Sequence, residues 1–427
     1  MKKFARILAI ALVIVMALTT LVACPEERTP VDGEKTKYTL TVWGAEEDQA
    51  MLKAMCDAYA KANPQNEYKF LFGVQSEADA ADKVLNDVES GPDVYSFASD
   101  QINKLFAAGA LARVGGEAER NVIANNTPGS IDAASFKING EDQLWAYPMT
   151  GDNCYFVYYD KRVFTEESLL ASLDSMLDTA AAAGKTVHFK LNDDGWYLSS
   201  FFFANPDLKY EVTYDDAMVE QSVSINFNEA GGLEAMKAIR NYVAHDSLVV
   251  QTDDSKIIAA FTEGSAAAAV TGTWNRKAIS DLLGENMGVC KLPTVMIAGE
   301  QTQLSGFMGY KLVGVNGFSK NKGEAHKLAE WLTNEQNQLI RFQQRGFGPT
   351  NKNLASLPEV LNDPVISVVL EQGQFNRPQK SVPGNYWTPM GSLITPLVTA
   401  KADGTYADIT DEKLQEYLDA LVDQIAK

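Results

Sequence analysis

Cysteine and histidine are scarce in this chain of 427 residues, at four and three. So few cysteines make no disulfide scaffold for a protein of this size. His188, His245 and His326 are too few for a histidine-rich metal site, and neither a metal nor a cofactor is expected. Positive charge is also short. Thirty-seven Lys and Arg face 56 Asp and Glu, a net charge of −19. Such a surface repels nucleic acid and anionic lipid. The G-x-S-x-G elbow, the H-E-x-x-H zinc motif, the P-loop and C-x-x-C are all absent. Past the first two dozen residues there is no run of 18 apolar residues, so no further membrane span is expected.

What is present is a large apolar complement, 46% hydrophobic with 10% aromatic, which excludes general disorder. The length suggests two or three domains.

The N-terminus reads as an address. Lys2, Lys3 and Arg6 precede an apolar run from Ile7 to Leu18, and Leu21-Val22-Ala23-Cys24 follows. This is the three-part pattern of a secretory signal. Its last four residues resemble a bacterial lipobox, which implies cleavage before Cys24 and lipidation of that cysteine. The plainer alternatives are an uncleaved anchor or an ordinary signal peptide with an incidental cysteine. Residues 1–23 are thus expected to be removed, taking three positive charges and leaving a net charge near −22. Residues 24–37 are polar and Pro-containing and read as a flexible tether.

The mature chain alternates strand and helix signals. Tyr38 to Trp43 alternates and is β-rich; Glu46, Glu47 and Asp48 open a helix carrying Leu52, Met55, Cys56 and Tyr59 at helical spacing. A strand over Tyr68 to Phe72, a helix over 77–89, a short strand Asp93 to Phe97 and a helix Asp100 to Leu111 follow. A second α/β pattern covers about 155–300, with helices at 229–245 and 254–263 and a small-residue strand at 265–271. The last third predicts helices at 322–343, 357–371, 387–400 and 411–426. The fold class is α/β with a largely parallel sheet.

Six segments, in order, carry a resemblance. They are Leu40-Thr41-Val42-Trp43, Gly91-Pro92-Asp93-Val94, Val157-Tyr158-Tyr159-Asp160-Lys161, Phe261 to Trp274 (FTEGSAAAAVTGTW), Leu292-Pro293 with Gly306 to Ser319, and His326 to Leu339. Together they resemble the family 1 extracellular solute-binding proteins of bacterial ABC importers, of the maltose/maltodextrin-binding type. The resemblance implies a periplasmic-binding-protein-like type II fold: two discontinuous lobes, a hinge and a ligand cleft between them. Residues 38–151 and 308–357 would form the N-terminal lobe, and 156–307 and 358–427 the C-terminal lobe. The implied function is delivery of a neutral oligosaccharide to ABC permease transmembrane subunits. The protein would be a non-enzymatic monomer outside the cytoplasm, attached to the membrane through its lipid alone and binding no nucleic acid.

A sugar offers an apolar face to a flat ring and hydroxyls to carboxylates and amides. By position in the resemblance, the ligand contacts would be Trp43, Glu46, Glu47, Phe97, Asp100, Asp152, Asn153, Asp194, Trp196, Trp274, Tyr386 and Trp387. Each has a plain structural alternative. Trp43 would be a core ring, and Glu46 and Glu47 would complement a helix dipole. Asp100 and Asp194 would cap the helices that follow them. Asn153 falls where maltodextrin binders carry a carboxylate, so the acid is either Asp152 or missing. Tyr386 and Trp387 compete for one stacking role. Trp145 and Trp331 read as structural. Cys56 and Cys290 read as buried thiols, Cys154 lies near the crossover, and no disulfide is expected.

Two rivals remain at this stage. A secreted glycoside hydrolase would need two carboxyls at a set separation, and no pair is singled out. An anionic ligand would need Arg or Lys in the cleft. The positions above include none, although Arg276 stands beside Trp274.

Overall fold

Leu40 and Val42 are buried while their neighbours are partly open, which sets one face of the strand Thr36–Gly44 on a core. This strand begins two residues before the expected one. The computed structural model describes residues 35–215 and 218–426. The signal segment 1–23, Cys24 and tether residues up to 34 lie outside the described residues.

Thr36–Gly44 pairs in parallel with Asn66–Val74 on one side and Val94–Ala98 on the other. Val94–Ala98 is buried along its whole length, as a central strand must be. It pairs antiparallel with Phe307–Val315, which also takes up Tyr147–Asn153 and the two-residue strand Arg377–Pro378. The helix Gln49–Ala62 turns Met51, Leu52, Met55, Cys56 and Tyr59 inward against this sheet.

A second sheet runs in the order Leu248–Val250, Thr186–Phe189, Ala266–Gly272, Tyr155–Asp160, Met287–Cys290. All seven residues of Ala266–Gly272 are buried, and the small side chains let flanking layers approach closely. Tyr155–Asp160 runs antiparallel to both its neighbours.

The apolar core is divided to match. One cluster gathers residues from 40 to 149 and from 312 to 332. Another gathers 155 to 307 and 382 to 425. A third, around Phe156, Phe261, Ile279 and Val369, covers the other face of the second sheet. Each lobe is therefore built from separated stretches of chain. Only Cys154 separates Tyr147–Asn153, in the first sheet, from Tyr155–Asp160, in the second. Phe307 belongs to the second core and Leu312, in the same strand, to the first. These lobes flank a cleft.

Local capping chemistry breaks three of the expected helices. The span 322–343 divides into Lys322–Leu332 and Glu335–Arg345, because the Asn334 side chain accepts from the Asn337 N–H and starts a new helix. The span 357–371 divides at Asp363, whose carboxylate accepts from Val365 and Ile366 N–H ahead of Pro364. The span 387–400 divides into Trp387–Ser392 and Thr395–Asp403, with Pro396 in the first turn of the second. The helix at 254–263 stands as expected. Cys56, Cys154 and Cys290 are free thiols. Among the described residues no helix is long and apolar enough to cross a membrane.

Candidate functional site

The inter-lobe cleft encloses about 810 Å³. It opens at strand ends, where loops leave both sheets. On the first lobe, Val94–Ala98 runs into the short turn Ser99–Gln101 and delivers Asp100 to the cleft wall. On the second, Ala266–Gly272 runs into Thr273–Asn275 and delivers Trp274. Glycine at 272 is required here: a Cβ would lie 2.1 Å from the Trp274 ring, which folds back over the backbone.

Trp196 sits in the first turn of the helix Gly195–Phe203, and Trp387 opens Trp387–Ser392. A Cβ at Gly195 would lie 2.9 Å from the Trp387 carbonyl oxygen, so glycine allows the two helices their close contact. The rings of Trp196 and Trp274 stand 5.8 Å apart and tilted by 42°. Trp196, Trp274 and Trp387 are each partly exposed in the cleft. Phe347 and Tyr197 complete the aromatic lining.

Seven of the twelve expected contacts line this cleft: Glu47, Asp100, Asn153, Asp194, Trp196, Trp274 and Trp387. Five do not. Phe97 points into the first lobe's core at 0% exposure, because its whole strand is buried between neighbours. Tyr386 is equally buried, its hydroxyl bonded to Ser199 Oγ at 2.7 Å; of the competing pair, Trp387 is the one that faces the cleft. Glu46 is exposed beyond the lining. Trp43 lies over Gly73 and borders a separate void of about 20 Å³. Asp152 is buried behind Asn153, with neither carboxylate oxygen hydrogen-bonded.

The structural alternatives for Asp194 also hold. Its Oδ1 accepts from the Trp196 N–H at 3.0 Å and caps the helix, while Oδ2 faces Lys190 Nζ at 3.1 Å. Burial pulls the Lys190 ammonium down, but Asp194 and Asp254 outweigh it and the net direction is up.

The expected contact positions hold no base, but bases reach the cleft from elsewhere. Lys104, Lys190, Lys311 and Arg345 all line it. Each is neutralised: Lys104 by Asp82 at 2.6 Å, Lys190 by Asp194, Lys311 by Glu77 at 3.4 Å, and Arg345 by Asp48 at 2.7 Å. Nine Asp and Glu line the same space, so carboxylates stay in excess. Arg276 pairs with Asp363 at 2.6 Å and is not in the lining. Burial pushes Asp100 up to about 7, with Lys104 opposing. Burial pushes His188 down to about 4, and its ring is held by Gln251 and Thr186. Among the described residues no cluster of His, Cys, Asp and Glu is suited to a metal ion.

Residues that sequence reasoning missed are Lys190, Asp254, Lys311, Arg345, Phe347 and Gln379. Lys311 left a signal, being the one charge in the strand Phe307–Val315. The others left none, since they reach the cleft from helix ends and loops that only the fold brings together.

A family profile described as bacterial extracellular solute-binding protein matches residues 54–367. The galactooligosaccharide-binding protein of Bacillus subtilis (strain 168) is 26% identical over 394 residues, 90% of each chain. A maltooligosaccharide ABC transporter solute-binding lipoprotein of Streptococcus pneumoniae (strain ATCC BAA-255 / R6) is 23% identical, covering 95% of each. A solved structure with acarbose is 33% identical, covers 91% of this chain and 98% of its own, and superposes with a TM-score of 0.78. The Thermus thermophilus maltotriose binding protein bound with maltotriose has the same fold at a TM-score of 0.73 and 18% identity, over 90% of this chain and 98% of its own. The family binds solutes and is not a family of enzymes, which removes the hydrolase reading. The match spans most of the chain, which belongs to the family of bacterial extracellular solute-binding proteins.

Proposed function

We propose that this protein is the carbohydrate-binding component of an ABC importer, taking a neutral oligosaccharide of the maltodextrin class. The observation that carries the reading is the cleft wall itself: Trp196, Trp274 and Trp387 beside an excess of carboxylates, with every base already paired. Rings stack on the C–H faces of a sugar, and carboxylates accept from its hydroxyls. An anionic ligand meets net repulsion. The volume falls within the roughly 300–1,000 Å³ range of small-molecule sites.

Closure of the lobes follows from contacts to both, because a ligand that touches two walls favours the state that brings them together. The closed form docks on the permease subunits as a monomer. Cys24 carries the lipid that holds it at the outer face of the membrane. The Leu21-Val22-Ala23-Cys24 pattern and the lipoprotein relatives of Streptococcus pneumoniae support that anchor.

The Bacillus relative supports a second reading, a galactooligosaccharide in the same cleft. Titration calorimetry with maltotriose, a galactotriose and a sulfated sugar separates the cases. Micromolar binding of maltotriose alone is the expected result, about −8 kcal/mol. Binding of the galactotriose alone selects the second reading. Binding of neither neutral sugar overturns both.

A further inference from the structure

Gln379 is 1% exposed, yet its amide reaches both lobes. Its Oε1 accepts from Trp196 Nε1 at 3.2 Å, on the second lobe. Its Nε2 donates to Ser99 Oγ at 3.2 Å and to Asp100 Oδ1 at 3.3 Å, on the first. It immediately follows Arg377–Pro378, which pairs with Phe307 and Met308 at the point where the long shared strand passes between cores. Its own N–H donates to the Met308 carbonyl at 3.1 Å. Gly309 makes the space: a Cβ there would lie 2.1 Å from Gln379 Cδ.

The chemistry admits few substitutes. An indole N–H only donates, so the atom facing it must accept. A carboxylate at Asp100 only accepts when ionised, so the atom facing it must donate. A primary amide carries both functions on one planar group. That arrangement also fixes which amide atom is oxygen, because the reverse would set N–H against N–H. The Ser99 hydroxyl accepts from the Tyr310 N–H as well, which anchors this end to the strand Phe307–Val315.

We propose that Gln379 is a positioning residue that holds the Trp196 ring at a set angle and couples that angle to the relative placement of the two lobes. The proposal rests on the reading of Trp196 as a stacking surface for sugar. Rotation of the lobes about the hinge stretches one side of the Gln379 bridge, and the ring loses its anchor. The ligand face of Trp196 is then correctly presented in one lobe arrangement and not in the other.

The test follows the Trp196 indole N–H by ¹⁵N-tryptophan NMR of the whole protein, with Trp196→Phe identifying its signal. Gln379→Leu removes all three side-chain bonds. Gln379→Asn keeps the amide but shortens the arm by about 1.5 Å, and serves if the leucine variant does not fold. In either variant the Trp196 signal is expected to move upfield and exchange faster with solvent, while the other five indole signals hold. Maltotriose affinity is expected to fall about tenfold, the loss of one to two hydrogen bonds. Gln379→Glu keeps the acceptor for Trp196 and meets Asp100 with like charge, in a surround that also holds Lys104, Asp82 and Tyr210. Its defect relative to the native protein is expected at alkaline pH and to vanish on acidification, when a protonated side chain donates again. A purely packing role gives no such recovery. An unmoved Trp196 signal overturns the proposal, and so does a moved signal with unchanged maltotriose affinity. If maltotriose fails to bind the native protein, the maltodextrin reading fails, and the NMR signal alone still decides the anchoring.

Discussion

Trp196 and Trp274 follow two neighbouring parallel strands of one lobe, Thr186–Phe189 and Ala266–Gly272, and meet with their ring centroids 5.8 Å apart at 42°. The pair forms an open angle, not a closed stack. Each ring is packed on one side: Trp196 against Tyr155 at 4.7 Å, and Trp274 over Gly272. The remaining faces are what a ligand meets.

Trp274→Ala is expected to weaken maltotriose binding by roughly 1–2 kcal/mol, about 5- to 30-fold in Kd. Trp274→Phe is expected to retain most of the affinity. Gly272→Ala should reproduce the loss with the indole present, because the new Cβ takes the ring's place. Calorimetry reads all three. Equal affinity of Trp274→Ala and the native protein would remove this ring from the site.

Asp100 makes stability depend on pH. Burial pushes its carboxyl up to about 7, with Lys104 opposing, against an ordinary value of 3.8. The folded state keeps this proton where the unfolded chain has released it. Its contribution is therefore fully present below about pH 4 and is lost as pH rises through about 7. Asp100→Asn removes the titration. Relative to the native protein, its melting temperature is expected to be unchanged near pH 3, to rise above it as pH passes from about 4 to about 7, and to stay higher at pH 8. A constant difference across that range would show that Asp100 ionises normally.

How much of this was legible in the sequence varies residue by residue. Trp274 was, because it ends a run of small residues that can only be a buried strand, and strand ends open on clefts. Phe97 was not. Its strand Val94–Ala98 is enclosed on every side, so alternation carries no outward face to read. Tyr386 and Trp387 are adjacent, and one residue of register decides which of them meets the cleft. The helix breaks at Asn334 and Asp363 were present as capping residues, but apolar periodicity ran across them and masked them. Gln379 and Arg345 were invisible: their partners Trp196 and Asp48 lie far away in the chain, and only the fold brings them together.

Asp194 has two separable roles. Its Oδ1 caps the helix that carries Trp196, and Oδ2 neutralises Lys190. Asp194→Ala removes both and is expected to destabilise the protein by about 1 kcal/mol through the cap alone. Asp194→Asn preserves the cap, since asparagine serves equally well there, and Asp254 still faces Lys190 at 3.7 Å. The asparagine variant should therefore melt close to the native protein. If Asp194 also accepts from a sugar hydroxyl, the same variant loses about 1.5–3 kcal/mol of binding, the worth of a charge-assisted bond. Melting curves and calorimetry on the two variants assign the residue to fold, ligand or both.

Lys311 and Glu77 are buried together, with side chains 8% exposed and 3.4 Å between charges. The Lys311 ammonium also stands 4.8 Å from the Phe347 ring and 5.9 Å from Trp274, so it links the paired charges to the aromatic wall. Burial pulls its pKa down, and Glu77, Asp152 and Asp48 together carry it up. Lys311→Met strands the buried Glu77 without its ion-pair partner, although Arg345 still holds Asp48 and the Arg341 charge still acts on Glu77. The expected loss is about 3–5 kcal/mol, the penalty for stranding a buried charge. Glu77→Leu strands the ammonium instead, although Asp48 and Asp152 soften that loss. The double variant removes both charges, and its stability should recover well above that of Lys311→Met. Denaturant unfolding of the four proteins closes the cycle. Additive losses in the double variant would mean that the two side chains act independently and that the cleft floor is held by packing alone.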